Sequence, residues 1–159
     1  ALTRINPQVV VEAIGERLDG ERLEARVADA DVVIDCCDNF ATRYAVNRAC
    51  VRQRTPLVSG AAIRFSGQLS VFDSRCENSP CYHCLFPEGD DAEETRCAVM
   101  GIFAPLTGII GAMQAAEALK IISGAGQVAI GRLLLLDGLT MEWRSVKLGK
   151  DPQCAVCGS

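Results

Sequence analysis

Two cysteine pairs with metal-ligand spacing are the strongest chemical signal in this sequence. Cys81 and Cys84 form one Cys-x-x-Cys pair, and Cys154 and Cys157 form another near the end of the chain. Each pair can turn two thiolates onto one face, and two such faces complete a tetrahedron for zinc. Structural zinc contributes roughly 10 to 16 kcal/mol, more than the roughly 4 kcal/mol that closing so long a loop costs. We therefore predict a structural four-cysteine zinc site, with His83 as a spacer; the alternative is one redox dithiol beside an incidental pair.

A carboxylate-rich turn is the second candidate site. Asp35 ends a predicted strand, and Cys36, Cys37, Asp38 and Asn39 lead from it into a predicted helix. This point is the carboxyl end of a strand, where open α/β sheets bind ligands, and a carboxylate there can hold Mg²⁺ against nucleotide phosphates. The alternative is that Asp38 or Asn39 only caps the helix, a role that suits both residue types. Cys36 and Cys37 are predicted to pack in the core.

The remaining cysteines carry weaker signals. Cys97 follows Arg96, whose guanidinium can lower a thiol pKa and favour a nucleophile, but an incidental buried cysteine fits the site equally. Cys50 lies in a predicted helix and Cys76 precedes an acidic stretch, and neither has an identifiable partner. The acidic run at 90–94 predicts a solvated loop, with electrostatic steering of a basic partner as the alternative.

Alternating strands and helices must position these groups. Apolar runs and turn residues predict strands at 9–14, 31–35, 56–62, 68–72, 132–137 and 141–148, and helices at 19–30, 39–54 and 105–123. The order of the first five elements favours an α/β fold with a doubly wound sheet. The last two strands predict an antiparallel hairpin, and the 159 residues predict one domain.

Composition excludes several classes of function. The formal net charge of −4 leaves no basic stripe for a nucleic acid, and 5% aromatic residues leave few platforms for stacking single strands. Hydrophobic residues make up 49% and charged residues 23%, which excludes a disordered chain. No secretory signal precedes the nine cysteines, so we expect a cytoplasmic chain whose thiols are reduced or bound to metal.

One uncharged stretch, 97–116, is long enough in principle to cross a bilayer. Pro105 interrupts it, and Gln114, Glu117 and Lys120 follow one another at intervals of three residues. This pattern favours a buried loop and then a helix with one polar stripe, so we expect no membrane association.

Several motifs occur together in a characteristic order. They are Asp35 to Asn39 with Thr42, Arg43 and Asn47, then Ser66 to Leu69, the first cysteine pair, the segment 95–105, a Gly-x-x-Gln-Ala-x-Glu-x-x-Lys run at 111–120, and the tail 137–148 before the second pair. In this order they resemble the ThiF/MoeB/HesA family of E1-like adenylyltransferases, from about residue 5 to residue 158.

The resemblance implies a specific fold and chemistry. It implies the second half of a Rossmann-like doubly wound sheet, extended by antiparallel strands and clipped by zinc. Family members use Mg-ATP to adenylate the C-terminal Gly-Gly carboxylate of a ubiquitin-like sulfur carrier, in thiamin or molybdopterin biosynthesis. Asp38 and Asn39 match the Mg-nucleotide site, with Asp38 catalytic, and Cys97 matches a position that becomes covalently linked to the carrier in some members. Residues 85–97 match a crossover loop over the carrier tail, and a homodimer is implied.

The sequence departs from this family in one major respect. No glycine-rich phosphate loop is present, and the Arg and Lys residues with which the family grips ATP belong to an upstream half. We therefore expect the chain to need that N-terminal half, or a second chain that supplies it, and to be inactive alone. Two other hypotheses remain: a non-catalytic, zinc-stabilised module that binds the carrier, and a redox protein that uses its cysteine pairs.

Overall fold

The computed structural model describes residues 2–89 and 101–158. In chain order the elements are α1 (Leu2–Ile5), α2 (Gly20–Ala28), β1 (Val33–Asp35), α3 (Phe40–Gln53), β2 (Leu57–Ile63), β3 (Ser66–Phe72), α4 (Tyr82–Leu85), α5 (Pro105–Ser123), β4 (Arg132–Asp137) and β5 (Glu142–Lys147). The strands form one mixed sheet in the order β1-β2-β3-β4-β5. Only β1 and β2 are parallel, and the other neighbours are antiparallel.

Side chains from both faces of this sheet are buried beneath helices. Leu57 and Phe72 join Val27 of α2 and Val46 of α3 in one apolar cluster. The neighbouring Val58 faces the opposite way, into a second cluster completed by the residues Leu69, Val71, Met113 and Ile121, the last two from α5. Because successive side chains of a strand point to opposite faces, one strand supplies both clusters. The carboxyl ends of β1 and β2 are thereby held rigidly between two helical layers.

Most of the predicted elements are confirmed within one or two residues. The helix predicted at 105–123 is Pro105–Ser123, and the strand predicted at 132–137 is Arg132–Asp137. The predicted final hairpin is the antiparallel β4-β5 pair. The predicted α/β class is confirmed as a mixed five-stranded sheet.

The prediction of a strand at 9–14 is wrong. This segment has no regular structure, and Val10 is 94% exposed. A strand needs a neighbour for its backbone groups, and none of the described strands lies beside this segment. An ion pair joins it to α2, where Glu12 Oε1 lies 2.9 Å from Arg26 Nη2. The β-branched residues thus reflect strand propensity without a pairing partner.

Among the described residues, no helix is both long and apolar enough to cross a membrane. A helix with one polar stripe was expected after Pro105, and α5 is that helix. The polar stripe of α5, however, points inward: Gln114 is 3% and Glu117 6% exposed, whereas the apolar Leu119 is 65% exposed. An internal polar stripe is stable only if its groups are hydrogen-bonded, and both of these are.

Candidate functional site: a thiol cluster and a cleft at the end of the first strand

The four paired cysteines meet at one point of the structure. Their sulfur atoms all lie within 4.8 Å of one another. Cys81 Sγ lies 4.0 Å from Cys84 Sγ and 3.7 Å from Cys154 Sγ, and Cys84 Sγ lies 3.4 Å from Cys157 Sγ. Neighbouring sulfurs of a tetrahedral site with Zn–S bonds of about 2.3 Å would be about 3.8 Å apart. The donor set and its spacing therefore fit a tetrahedral, thiolate-bound metal ion.

Short backbone turns present the two pairs. Cys81 precedes the first turn of α4, and the Cys84 N–H donates to the Cys81 carbonyl at 3.1 Å. In the second pair the Gly158 N–H donates to the Cys154 carbonyl at 2.8 Å. A Cβ at Gly158 would lie 2.5 Å from that carbonyl oxygen, so the turn requires glycine.

Asn47 of α3 holds the turn of the first cysteine pair in place through two contacts. Its Oδ1 accepts a hydrogen bond from the Tyr82 N–H at 2.9 Å, and its Nδ2 lies 3.6 Å from Cys81 Sγ. Asn47 is almost fully buried, so a polar side chain inside the core is used to set the orientation of this thiol. The sequence analysis quoted Asn47 only as part of a motif and gave it no role.

The surroundings of the cluster shift the pKa values of three of its thiols in different directions. Burial works to raise the pKa of the Cys154 thiol, but hydrogen bonds from the backbone of Cys157 and Val156 and from the thiols of Cys84 and Cys81 outweigh it and lower the pKa to about 6. Burial is the main cause that raises the pKa of Cys81 to about 11 and that of Cys157 further still. The Cys154 thiolate is therefore available near neutral pH, whereas Cys81 and Cys157 ionise when a cation replaces their protons.

His83 does more than separate two cysteines. Its Nε2 accepts a hydrogen bond from the Glu88 N–H at 3.2 Å, so in the neutral ring the proton lies on Nδ1. Nδ1 lies 3.5 Å from Cys154 Sγ, where it can donate to the thiolate. His83 thus supports the cluster from outside the set of four thiols. Sequence spacing alone could not reveal this contact, since Cys154 lies 71 positions away.

A cleft of about 400 Å³ opens where β1 and β2 end. Its walls come from the turn after β1, the end of β2, α4 and the first turns of α5, with Asp38, Phe40, Ile63, Phe86 and Ile110 among the lining residues. The predicted ligand turn therefore borders a real concavity, mostly apolar with a few polar groups. That combination is typical of small-molecule sites.

Asp38 and Asn39 differ in their surroundings. Asn39 is the N-cap of α3, and its Oδ1 accepts from the Thr42 N–H at 2.9 Å. Asp38 is exposed at the cleft, and its Oδ1 accepts a hydrogen bond from Asn39 Nδ2 at 3.3 Å. Capping thus explains Asn39 structurally, whereas Asp38 is exposed, lines the cleft and does not cap the helix.

Arg43 is a central residue of the site to which the sequence analysis gave no role. Its guanidinium is buried beneath the cleft and donates to Asp35 Oδ2 at 3.0 Å, to Ser59 Oγ at 3.1 Å and to the Gly60 carbonyl at 2.9 Å. It also donates to the Cys37 carbonyl. One side chain of α3 therefore ties the end of β1 and the middle of β2 to the ligand turn. The available signal was an Arg in the first turn of the helix that follows a strand-ending Asp.

Gln114 closes the floor of the cleft from α5. Its Nε2 donates to the carbonyls of Asp35 at 2.8 Å and Val58 at 3.3 Å, so it bridges the end of β1 and the beginning of β2. Gly60 makes room for it, because a Cβ there would lie 2.4 Å from Gln114 Cδ. The Gln of the Gly-x-x-Gln-Ala motif is thus a buried positioning residue.

The expectation for the adjacent cysteines is corrected. Cys36 does not pack in the core but is exposed, and Cys37 is only half-buried. Both line the cleft, because the turn that carries them lies above the Arg43 guanidinium rather than beneath a helix. Cys50 is buried, and burial is the main cause that raises its pKa to about 12; Cys76 is exposed.

Three predicted features lie outside the described residues. They are Cys97, the acidic run 90–94 and most of the loop 85–97. The described start of that loop is fixed to α3: Tyr44 Oη donates to the Pro87 carbonyl at 3.3 Å, and Arg48 Nη1 lies 2.8 Å from Glu88 Oε2.

Comparison with known proteins agrees with the family resemblance. The ThiF family model matches residues 1–156. The chain is 43% identical over 159 residues to the molybdopterin-synthase adenylyltransferase of Escherichia coli, covering 99% of this chain and 63% of that protein. It is 43% identical over 157 residues to the sulfur carrier protein ThiS adenylyltransferase of the same species, covering 61% of that protein. The chain thus spans less than two thirds of the length of these relatives.

A third relative and a solved structure extend the comparison. The chain is 46% identical over 158 residues to the adenylyltransferase and sulfurtransferase MOCS3 of Anopheles gambiae, covering 35% of it. The fold matches E. coli MccB, crystallised with ATP, at a TM-score of 0.78 and 21% identity, over 99% of this chain and 49% of MccB. At that identity the match concerns the fold alone. Together with the family model, these relatives establish that the chain belongs to the ThiF family.

Proposed function

We propose that this chain is the C-terminal part of an adenylyltransferase that activates the C-terminal carboxylate of a ubiquitin-like sulfur carrier with Mg-ATP. The observation that carries the proposal is the cleft at the carboxyl end of β1, with the exposed carboxylate of Asp38 on its wall. Family membership and the names of relatives at about 43% identity support it. Thiamin or molybdopterin biosynthesis is the corresponding pathway.

Asp38 and Asn39 are the residues proposed to meet the Mg-nucleotide. Mg²⁺ prefers one or two carboxylates together with phosphate oxygens, and Asp38 offers such a carboxylate. The carrier carboxylate is already ionised, so its attack on the α-phosphate needs positioning and charge neutralisation rather than a general base. The carrier becomes an acyl-adenylate, and pyrophosphate leaves.

The rigid floor of the cleft supports this role. Arg43 and Gln114 are mostly buried residues of the cleft lining, and their hydrogen bonds hold the end of β1 against β2. Binding groups on a turn fixed in this way lose little conformational freedom when the substrate arrives. The groups that grip the phosphates are proposed to come from an N-terminal half of the domain or from a second chain, and residues 1–159 alone are proposed to be inactive.

Zinc is the proposed metal of the four-cysteine cluster. Four thiolates with spacings near 3.8 Å suit tetrahedral Zn²⁺, and with four protein ligands no position remains for water or substrate. The role is therefore structural: the ion joins the chain after β3 to the chain after β5. A structural metal site also accounts for the contacts of Asn47 and His83, which orient the cysteine ligands without belonging to the set of four.

Cys97 and the loop 85–97 are proposed to serve the carrier. Cys97 would form the covalent sulfur link, and the loop would cover the carrier tail above the cleft. The start of this loop is anchored beside the cleft by Tyr44 and Arg48 of α3, which supports that placement.

A homodimer is proposed on the exposed face of α5. Leu119 and Ile122 are among its exposed apolar residues, in a helix whose Gln114 and Glu117 are buried. A second copy that covers this face would bury them. Substituting Leu119 by Glu should then lower the mass measured by light scattering from that of a dimer to that of a monomer, whereas unchanged mass would contradict the dimer.

The decisive experiment is ATP–pyrophosphate exchange with a sulfur carrier, using this chain together with the N-terminal half of a relative's domain supplied in trans. We expect exchange only from the mixture. Asp38→Asn should lower the rate roughly 100-fold or more. Asp31→Asn, which changes an exposed carboxylate before β1, is the matched control and should leave the rate unchanged.

Two outcomes would overturn the proposal. Carrier binding without exchange in any combination would indicate a non-catalytic carrier-binding module. A cluster that holds no zinc and oxidises reversibly would indicate a redox protein.

A further inference from the structure

The hydroxyl group of Ser74 is buried and has no hydrogen-bond partner among the described residues. Ser74 is the second residue after β3, and the backbone beside it is fixed. The Asp73 N–H donates to Ser79 Oγ at 3.1 Å, and the Arg75 N–H donates to Asp73 Oδ1 at 3.0 Å. The chain therefore holds this hydroxyl at an internal position. A buried polar group without a hydrogen bond is costly, and an ordered water commonly supplies the bond that the protein does not.

A small cavity lies beside Ser74, between residues of α3 and two of the paired cysteines, Cys81 and Cys157. It leaves about 10 Å³ of room for the centre of a water molecule. Roughly 10 to 15 Å³ of such room is what one buried water requires. Polar side chains also line the cavity, with Asn47 and Thr55 among them. The cavity therefore has the size and the polar lining that a single water needs.

Of the two cluster cysteines that line this cavity, Cys157 gains more from a donor placed there. Cys81 Sγ already has the amide group of Asn47 beside it, with Nδ2 at 3.6 Å. Cys157 Sγ instead contacts another sulfur, Cys84 Sγ, at 3.4 Å. A sulfur that binds a cation as thiolate keeps part of its negative charge, and hydrogen bonds from surrounding groups stabilise that charge. A donor in the cavity would serve Cys157 in this way.

We propose that the cavity binds one water molecule, which accepts a hydrogen bond from Ser74 Oγ and donates one to Cys157 Sγ. Both residues line a space of about the size of one water, so a molecule there lies between them. The acceptor for its second proton is Thr55 Oγ1, which donates its own proton to the Val27 carbonyl at 3.0 Å and keeps its lone pairs. The water then makes about three hydrogen bonds, the usual number for a buried water.

The water makes Ser74 a positioning residue of the cysteine cluster, a role that rests on the proposed zinc site. Ser74 holds the water, and the water holds the Cys157 sulfur by a hydrogen bond. Loss of a partner outside the ligand set typically lowers metal affinity by about 10-fold or more. Removal of one hydroxyl group, which is not itself a ligand, should therefore weaken the hold on the metal. Binding of the water itself does not require the metal, because a protonated Cys157 thiol also accepts a hydrogen bond.

The direct test is a pair of crystal structures, of the unsubstituted chain and of Ser74→Ala, at a resolution that shows ordered water. We expect one water oxygen about 2.8 Å from Ser74 Oγ and at hydrogen-bond distance from Cys157 Sγ. In Ser74→Ala this water should be absent, because its donor is gone. A dry cavity in the unsubstituted chain, or a water that persists at the same position in Ser74→Ala, would overturn the proposal.

A second test measures zinc affinity by competition with a chromogenic chelator. Ser74→Ala should bind zinc roughly 10-fold more weakly than the unsubstituted chain, with an unchanged circular dichroism spectrum. Ser145→Ala is the matched control: it removes a serine hydroxyl from β5, where Ser145 is exposed and its Oγ accepts from Arg132 Nε at 2.9 Å. This variant should bind zinc as the unsubstituted chain does. Equal zinc affinity of Ser74→Ala and Ser145→Ala would show that the hydroxyl of Ser74 does not act on the cluster.

The water site and the zinc site can fail separately. If the crystal structure shows the water beside Ser74 but no metal among the four cysteines, the water site stands and the proposed zinc site fails. If zinc is bound and the cavity is dry, the zinc site stands and the inference about Ser74 fails.

Discussion

The Arg43 guanidinium lies 3.0 Å from the Asp35 carboxylate, and the two side chains are only 8% and 1% exposed. The ion pair joins α3 to the last residue of β1. Both charges retain further partners, since Ser59 Oγ lies 3.3 Å from Asp35 Oδ2 and the Gly60 carbonyl accepts from Arg43. A buried pair with this many hydrogen bonds fixes geometry, because either charge alone would be left without compensation inside the protein.

Removing one partner of this pair should be strongly destabilising. Arg43→Met or Asp35→Leu leaves an uncompensated buried charge, and we expect each to lower the free energy of unfolding by about 3–5 kcal/mol. The double variant should lose much less than the sum, because no orphan charge remains. Urea unfolding of the four proteins measures this cycle. Arg48→Ala, which breaks the exposed pair with Glu88, is the control and should cost less than about 1 kcal/mol. If the double variant loses as much unfolding free energy as the two single variants together, the two side chains are not coupled.

The cysteine cluster should bind one metal ion per chain. We expect about one zinc by elemental analysis, lost in Cys81→Ser and retained in Cys76→Ser. Binding should weaken as the pH falls, because the ion must displace protons from thiols whose pKa values are raised, such as Cys81 with a pKa of about 11. Each displaced proton contributes about a 10-fold loss in affinity for each pH unit, and the loss should steepen below the pKa of about 6 of Cys154. A pH-independent affinity, or retention of zinc in Cys81→Ser, would contradict a thiolate site.

The elements that could be predicted from the sequence are those defined by local patterns. Pro105 at the start and Gly124 after the end delimit α5, so the predicted and observed bounds coincide. The cysteine spacing likewise predicted a cluster without any knowledge of the path between the pairs, because two Cys-x-x-Cys pairs are a common ligand set for a tetrahedral ion.

The features that could not be predicted depend on distant partners. The propensity of Val9 to Val11 for a strand is genuine, but whether a strand forms depends on a neighbour, and none of the described strands provides one. Gln114 was assigned to a polar stripe, yet its direction depends on the free carbonyl of Asp35, which lies 79 positions away. Cys36 was expected inside the core, because local sequence does not distinguish a turn that borders a cleft from one that is covered.

Gly60 should tolerate no side chain. A Cβ there would lie 2.4 Å from Gln114 Cδ and would force the Gln114 amide away from the strand-end carbonyls. We expect Gly60→Ala to lower stability by about 1–3 kcal/mol, the usual cost of overpacking. Gly108→Ala is the control: it lies in α5 with nothing within 4 Å of the added Cβ, and should be neutral or stabilising by up to about 1 kcal/mol. Equal effects of the two substitutions in thermal or urea unfolding would show that the contact with Gln114 is unimportant.

The capping and nucleotide roles of the turn after β1 can be separated by paired substitutions. Asn39 accepts from the Thr42 N–H, so Asn39→Ala should lower stability by about 1 kcal/mol, whereas Asn39→Ser keeps an acceptor oxygen and should lose much less. Asp38 is exposed, and Asp38→Ala should change stability by less than about 0.5 kcal/mol. If Asp38 meets the Mg-nucleotide, Asp38→Ala should nevertheless abolish pyrophosphate exchange by the mixture in trans. Urea unfolding together with exchange assays measures both properties in the same proteins. A variant at Asp38 that loses stability as much as Asn39→Ala, or that keeps full exchange, would assign this carboxylate a structural role instead.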